Sequence, residues 1–344
     1  MANRLTTLIG NMTLLTVFIV LTMGFCEIAV RILCKAYIFY DIEMWRYAVD
    51  LKQPSKSAEL SHEHRPGASG YFMGVDVAIN SKGLRDTEYT YEKPDSTFRI
   101  LLLGDSIPLG WGVRQGHIYA DVLEKQLNHN LNLPRYKRFE VINAGVGNYN
   151  TEHELYYLES EGLKYHPDMV MICFFINDGE IIKHRESISF LDRNSYLWTM
   201  MKGRLDMMAR MMSVEKDYVD FYNDLYIPGS PERTAFDLAF NQILQNCRRI
   251  QIDPFVVLYP ELHVTDETSY PFKKVHQLVR DLSAAYEAPV VDLLPIYQGE
   301  IPESLWVAPD DAHPNARAHN MAADAIYQHL ASYIQRSTTE AISD

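Results

Sequence analysis

Five short, almost continuously apolar runs recur along the chain, separated by longer segments with helical spacing. The runs are Phe98–Leu103, Phe139–Asn143, Met169–Phe175, Phe255–Tyr259 and Val290–Leu293. Such runs are typical of strands buried on both faces of a parallel sheet. Five strand–helix units therefore predict an α/β fold with one doubly wound, parallel five-stranded sheet, flavodoxin-like, in three α/β/α layers.

The N-terminal segment has a different character. No charged residue occurs from Leu5 to Cys26, and a helix over these residues would be about 33 Å long, enough to cross the hydrocarbon core of a bilayer. We predict an uncleaved transmembrane helix, with a cleaved signal peptide and a buried soluble helix as the alternatives. The residues after the apolar run fit a small-x-small cleavage site poorly, and a buried soluble helix normally has a polar face. The flanking positive charges do not decide the orientation.

Charge is divided unevenly along the chain. The formal charge of −13 separates into +2 for residues 1–56 and −15 for the remainder. An acidic body argues against binding to nucleic acid, because a phosphate-binding surface requires clustered Lys and Arg. Four cysteines in 344 residues do not form a disulfide framework.

Residues capable of chemistry follow the predicted strands at their carboxyl ends, where open parallel sheets bind ligands. Ser106 follows the first strand in Gly-Asp-Ser, Gly145 follows the second in Asn-Ala-Gly, and Asn177 follows the third in Asn-Asp. The glycines of the second motif allow the backbone to approach a ligand closely. On their own, Gly-Asp-Ser could be a helix cap and Asn-Asp an Asx-turn. Their common position favours a shared site.

A histidine with neighbouring carboxylates lies near the C-terminus, in Asp310-Asp311-Ala312-His313-Pro314-Asn315. His-Pro-Asn alone could simply begin the last helix. A spacing of three predicts that Asp310 and His313 lie on one helical turn, so that the carboxylate holds Nδ1 while Nε2 faces a nucleophile. Asp311, two positions before His313, would point elsewhere on such a turn, and Asp310 is therefore preferred.

Taken together and in this order, the four motifs resemble those of the SGNH (GDSL-type) hydrolase family, over about Arg99 to Ile334. The resemblance implies a serine hydrolase acting on ester bonds without a cofactor or a metal. It implies Ser106 as the nucleophile, His313 as its general base and Asp310 as the orienting carboxylate. The implied oxyanion hole consists of the backbone N–H groups of Ser106 and Gly145 and the side chain of Asn177.

One position departs from the family pattern. The family usually has glycine two positions before the asparagine of the third motif, whereas this chain has Phe175. That side chain either narrows the site or packs in the core, and core packing is favoured.

The segment from Ile79 to Asp86 resembles the lead-in of membrane-anchored, polysaccharide-associated members of the family. This implies a membrane-anchored esterase for acyl, chiefly acetyl, esters of carbohydrate, with the lipid bilayer as a partner and an extracytoplasmic catalytic domain. Acyl transfer to a glycan hydroxyl, hydrolysis of lipid esters, and a non-catalytic subunit of an envelope polysaccharide assembly are the alternatives. Protein partners and oligomeric state are not indicated.

These features predict a domain order of anchor (5–35), connector and lead-in (36–95) and catalytic domain (96–336), with a possible lid at 179–231. The lid segment contains a methionine-rich stripe from Leu197 to Met212, for which a core helix and a helix on the membrane surface are alternatives. His62 and His64 are expected in a surface loop rather than at a zinc site, and Arg85 in a buried salt bridge.

Overall fold

The computed structural model describes residues 2–182, 188–212 and 217–343. The strands are β1 (Lys52–Pro54), β2 (His62–His64), β3 (Ser69–Phe72), β4 (Val75–Ala78), β5 (Thr97–Leu103), β6 (Arg138–Asn143), β7 (Met169–Phe174), β8 (Asp253–Leu258), β9 (Val290–Asp292), β10 (Trp306–Ala308) and β11 (Asp311–Pro314). The helices are α1 (Ala2–Ala36), α2 (Tyr40–Asp50), α3 (Ser106–Leu109), α4 (Tyr119–Asn130), α5 (Thr151–Ser160), α6 (Phe190–Asn194), α7 (Tyr196–Met212), α8 (Tyr218–Leu225), α9 (Pro231–Arg249), α10 (Lys273–Ala284) and α11 (Ala316–Ser343). Short 3-10 helices occur at Gly162–Tyr165, Ile176–Gly179, Leu294–Tyr297 and Pro302–Leu305.

The central sheet has the strand order β6-β5-β7-β8-β9, and every pair in it is parallel. This confirms the predicted α/β fold, and the predicted strand bounds agree with the observed ones to within two residues. The chain passes from β5 to β6 on one side and then to β7 on the other. The strand order therefore reverses at β5, and ligands of doubly wound sheets bind beyond the carboxyl ends at such a reversal.

Alternate residues of β5 pack in opposite directions, and all seven are buried. Ile100 and Leu102 join a cluster with α4 and α11, while Leu101 and Leu103 join a second cluster with α5 and α9. Burying each such side chain contributes about 1.5–3 kcal/mol. The turn that follows β5 is consequently built on a strand with core on both faces.

The chain divides into two compact units. The smaller unit contains Met1–Val49 and Ser187–Glu215, and the larger unit contains Asp50–Glu186 and Lys216–Asp344. Within the smaller unit, Ile9–Ala36 of α1 is long and apolar enough to cross a membrane, by length and composition. Part of the predicted lid segment therefore belongs with the N-terminal helices, and the lid remains a prediction. Residues 183–187 and 213–216 of that segment lie outside the described residues.

The expectation that His62 and His64 lie in a surface loop is wrong. Both belong to β2, which pairs with β1, and both are buried. His62 Nε2 lies 3.2 Å from Lys52 Nζ. Burial, together with the positive charge of Lys52, lowers the pKa of His62 to about 2 and that of His64 to about 3. These rings are therefore neutral parts of the packed lead-in.

His319 of α11 provides a test of how burial of a neutral ring affects stability. Its Nδ1 accepts a hydrogen bond of 3.0 Å from the backbone N–H of Tyr119, and its side chain is fully buried. Burial, with the positive charge of Arg85 and the proximity of His313, lowers the pKa of His319 from 6.5 to about 3. Below pH 6.5, His319 is therefore protonated in the unfolded chain but stays neutral in the folded chain. The free energy of unfolding that is present above pH 6.5 is consequently lost as the pH falls.

We expect His319→Asn to remove this loss, because the asparagine oxygen can replace Nδ1 as the acceptor. Between about pH 6.5 and 5, the wild type is expected to lose about 2 kcal/mol of unfolding free energy relative to the variant. The measurement is urea unfolding of the detergent-solubilised wild type and variant at a series of pH values. The difference between their unfolding free energies at each pH removes the contributions of the other titrating groups, which the two proteins share. Parallel curves for the two proteins would show that His319 does not titrate in this way.

Candidate active site

The turn after β5 places Ser106 at the carboxyl edge of the sheet. Gly104 has φ of +154°, and a Cβ atom there would lie 2.4 Å from Cγ of Pro108, so only glycine fits the turn. Asp105 is the N-cap of α3, its Oδ1 accepting the N–H of Ile107 at 2.8 Å. Ser106 is the first residue of that helix and is 7% exposed.

Ser106 and His313 are separated by more than 200 positions in the chain but are hydrogen-bonded in the structure. The distance from Ser106 Oγ to His313 Nε2 is 2.9 Å. His313 lies in β11, and its Nδ1 is 2.5 Å from Oδ1 of Asp311. The three side chains thus form a continuous chain of hydrogen bonds in which the carboxylate fixes the ring and the ring faces the hydroxyl.

The prediction that Asp310 orients His313 is wrong, because the structure places Asp311 in that position. The prediction assumed a helical turn, on which side chains three apart share a face. Residues Asp311–Pro314 instead form a strand paired with β10, and in a strand side chains two apart share a face. Asp310 is exposed at the turn before that strand.

Asp311 is held in its ionised form by hydrogen bonds from His313 and Trp111. It is 4% exposed, and its second oxygen, Oδ2, accepts Trp111 Nε1–H at 2.9 Å. Burial alone would raise the pKa of Asp311, but the hydrogen bonds from His313 and Trp111 outweigh it and the pKa lies below its usual value. The sequence contained no signal for Trp111, which is five positions after the nucleophile and contacts a residue two hundred positions away.

Asn177 lies in the 3-10 helix after β7 and is oriented by Asp105. One N–H of its amide donates to Asp105 Oδ2 at 2.9 Å. Asp178 Oδ2 accepts the backbone N–H of Phe175 at 3.2 Å and closes the same turn. Phe175 itself is partly buried against both core clusters, in agreement with the core interpretation of this departure from the family pattern.

Gly145 has a packing role in this structure. Its N–H donates to Asn143 Oδ1 at 3.0 Å, and a Cβ atom at Gly145 would lie 2.4 Å from the backbone nitrogen of Leu109. Asn143 Nδ2 in turn donates to the carbonyl of Pro108 at 2.6 Å. The turn after β6 therefore braces α3, and the N–H of Gly145 meets a side-chain acceptor in this structure, so its part in an oxyanion hole stays a prediction.

Arg85 holds the other side of the turn that carries Ser106. Its guanidinium donates to the backbone carbonyls of Leu109 at 3.0 Å, Gly110 at 2.6 Å and Val113 at 2.7 Å. Arg85 is 1% exposed, so these carbonyls receive a buried positive charge at the C-terminal end of α3. These partners are backbone carbonyl groups, whereas the sequence predicted a buried salt bridge with an acidic side chain.

Ser106, Asp311 and His313 of this site lie within the part of the chain that matches a known protein family. The GDSL-like lipase/acylhydrolase family matches residues 102–321. A two-domain esterase (CEX) active on acetylated mannans, crystallised with mannopentaose, is 18% identical with a TM-score of 0.44, covering 68% of this chain and 49% of that one. The chain thus spans about half the length of this structure.

Two further solved structures are similar at the same level. A catalytic mutant of Axe2, an acetylxylan esterase from Geobacillus stearothermophilus, is 16% identical with a TM-score of 0.44, covering 69% of this chain and 95% of that one. The psychrotrophic esterase EstA from Pseudoalteromonas sp. is 16% identical with a TM-score of 0.44, covering 70% and 100%. No curated protein matches the sequence.

Proposed function

The chain belongs to the GDSL-like lipase/acylhydrolase family and is an ester-hydrolysing enzyme, and from that premise we propose that it is a membrane-anchored esterase that removes acyl groups, chiefly acetyl, from carbohydrate. The observation that carries the catalytic part is the hydrogen-bonded series Ser106 Oγ, His313 Nε2 and Asp311 Oδ1. A serine hydroxyl is a weak nucleophile until an adjacent base removes its proton, and this geometry supplies the base.

In the proposed first half-reaction, His313 Nε2 takes the Ser106 proton as Oγ attacks the ester carbonyl carbon. The tetrahedral intermediate collapses when the bond to the alkoxy oxygen breaks, and His313 returns the proton to the departing sugar hydroxyl. In the second half-reaction, His313 removes a proton from water, which attacks the acyl-enzyme. Collapse then releases the carboxylic acid and restores the Ser106 hydroxyl.

Asp311 has a constant charge throughout this sequence. Because its pKa is lowered, it remains a carboxylate while His313 becomes an imidazolium, and it stabilises that cation through Nδ1. The proposed oxyanion donors are the backbone N–H of Ser106 and the Asn177 amide, which has a second N–H besides the one given to Asp105. Donors placed in this way contribute on the order of 3 kcal/mol each to the transition state.

The carbohydrate and membrane parts of the proposal have separate support. Carbohydrate as the acyl carrier is supported by the lead-in segment Ile79–Asp86, which resembles that of polysaccharide-associated members. The single-pass anchor is supported by the length and apolar composition of Ile9–Ala36, and an extracytoplasmic position of the larger unit is the expectation that accompanies it.

The direct test is active-site titration of the full chain in lipid nanodiscs with a fluorophosphonate probe. We expect one adduct per chain, on the peptide that contains Ser106, and loss of both p-nitrophenyl acetate hydrolysis and acetate release from acetylated xylan in proportion to labelling. Ser57, which is partly exposed, provides an internal control that should remain unlabelled. Absence of an adduct together with absence of ester turnover would contradict the proposal. Retained ester turnover with acetyl appearing on an added glycan instead of as free acetate would identify an acyltransferase.

A further inference from the structure

Glu27, in the C-terminal half of α1, contacts the start of α7 within the smaller unit. Glu27 accepts hydrogen bonds from Ser195 Oγ at 2.9 Å, Tyr196 N–H at 3.1 Å and Leu197 N–H at 2.8 Å. These backbone donors belong to the first turn of α7, so Glu27 caps that helix from another element. Arg31 pairs with Glu27 at 2.7 Å and lies 4.5 Å from the centre of the Tyr196 ring.

This attachment is at one end of the uncharged window of α1. Glu27 is the first charged residue after Leu5, and the rise of a helix places it about 33 Å further along the axis. That distance is the thickness of the hydrocarbon core. If α1 spans a bilayer over this window, the N-terminus of α7 lies at the boundary between hydrocarbon and headgroups.

Residues 189–205, termed here the interfacial segment, expose large apolar side chains. Phe190 is 79% exposed and Leu191 is 49% exposed on α6. On α7, Trp198, Met201 and Leu205 are 38%, 41% and 57% exposed. The spacing of three and four residues puts these three on one stripe of the helix.

The opposite side of α7 packs within the unit. A Cβ atom on Gly203 would lie 3.1 Å from Asp41 Oδ2, so this side of the helix approaches α2 closely. Lys202 and Arg204 flank the exposed stripe, and Lys202 Nζ is 3.5 Å from Asp192. A stripe of apolar residues bordered by cations is the pattern of a helix that lies in the plane of a membrane interface.

We propose that the interfacial segment lies in the headgroup region of the bilayer beside α1, as a second membrane contact of the chain. The proposal rests on the membrane anchor of the proposed function. Its occupant is lipid because the segment is held against α1, whose own apolar side chains are exposed, and because the segment carries a net charge of +2 where the chain beyond residue 56 carries −15. A cationic segment is attracted to anionic headgroups that repel the rest of the chain.

Trp198 gives this segment an intrinsic reporter. Its Nε1–H donates to Asp192 Oδ1 at 2.9 Å, so the indole has one satisfied polar end and an apolar face, as tryptophans at membrane interfaces do. We would reconstitute the full chain in vesicles of phosphatidylcholine with a minority of phosphatidylglycerol and measure quenching of tryptophan fluorescence by brominated lipid. Trp198→Phe is the subtraction control, and it serves as the background for two further variants.

In that background, Phe18→Trp reports on the spanning helix and Leu238→Trp on an apolar side chain of the larger unit that is 68% exposed. We expect the Trp198 component and Phe18→Trp to be quenched about twofold or more beyond Leu238→Trp. Leu205→Trp, on the same stripe, should be quenched like Trp198. Quenching at Phe18→Trp with none at Trp198 or Leu205→Trp would overturn the proposal and leave the anchor intact. Absence of quenching at Phe18→Trp would overturn the anchor and, with it, this proposal.

Discussion

Replacing Asp311 with asparagine is expected to lower kcat by about 10⁴-fold, because the wrong histidine tautomer then faces the nucleophile. The wild-type carboxylate accepts hydrogen bonds from His313 Nδ1–H, from the His313 backbone N–H and from Trp111 Nε1–H. An asparagine has one acceptor oxygen, so either orientation of its amide places the N–H₂ group against one side of this arrangement. With the oxygen on Trp111, the N–H₂ group donates to His313 Nδ1, and Nε2 then carries the hydrogen towards Ser106 and cannot accept its proton. With the oxygen on His313, the neutral amide no longer stabilises the imidazolium that forms during the reaction.

Asp310→Asn is the matched control, since it makes the same chemical change one position earlier on an exposed residue. We expect kcat for p-nitrophenyl acetate within about twofold of wild type, as for other exposed substitutions. The two variants distinguish the arrangement in the structure from the helical turn suggested by residue spacing. Equal losses for both, or a loss confined to Asp310→Asn, would contradict the assignment of Asp311.

Replacing Ser106 with alanine is expected to abolish turnover, with a loss on the order of 10⁶-fold in kcat. The acyl-enzyme cannot form without Oγ, and the remaining oxyanion donors act only on slow attack by water. The side chain is small and 7% exposed, so truncation should leave the fold unchanged. Steady-state hydrolysis of p-nitrophenyl acetate and fluorophosphonate labelling measure the two consequences separately.

Ser332→Ala is the control for this variant, because Ser332 lies exposed on α11 and makes only a local bond to the carbonyl of Gln328. It should retain wild-type kcat and wild-type labelling. A Ser106→Ala protein that is folded and still hydrolyses the ester at more than a few per cent of wild type would place the nucleophile elsewhere.

The fold was predictable because its signal is local and repeated. Each of the five strands is a run whose residues are buried on both faces, as Ile100 and Leu101 illustrate by packing into opposite clusters. Ser106 and Asn177 were also predictable, since each follows the end of a strand where the fold requires a turn, and His313 was predictable from its motif with neighbouring carboxylates. Their side-chain chemistry is distinctive enough to be recognised without knowledge of distances.

The roles of Asp311 and Gly145 could not be predicted from the sequence in this way. The choice between Asp310 and Asp311 depends on whether the backbone is helical or extended, and a strand of four residues paired with another of three leaves little pattern in the sequence. The role of Gly145 depends on which acceptor its N–H meets, and that acceptor is a side chain two positions earlier. Such contacts are decided by packing and turn geometry, which residue type alone does not specify.

The sequence did not determine the position of residues 187–215, for a different reason. An amphipathic helix can cover a core, close over a site or lie on a membrane, and the same sequence pattern is compatible with all three positions. The capping of α7 by Glu27 attaches the first turn of this helix to α1, through contacts that join residues 168 to 170 positions apart in the chain.

The contacts of the Arg85 guanidinium determine how short a fragment of this protein can be and still hold the active site together. A fragment cut just before β5 would contain Ser106, Asn177, Asp311 and His313 and would satisfy every motif of the family. It would nevertheless leave three carbonyl groups below the nucleophile without the buried cation that they share. The lead-in segment is thus an internal component of the hydrolase, and its removal would take away part of the support of the active site.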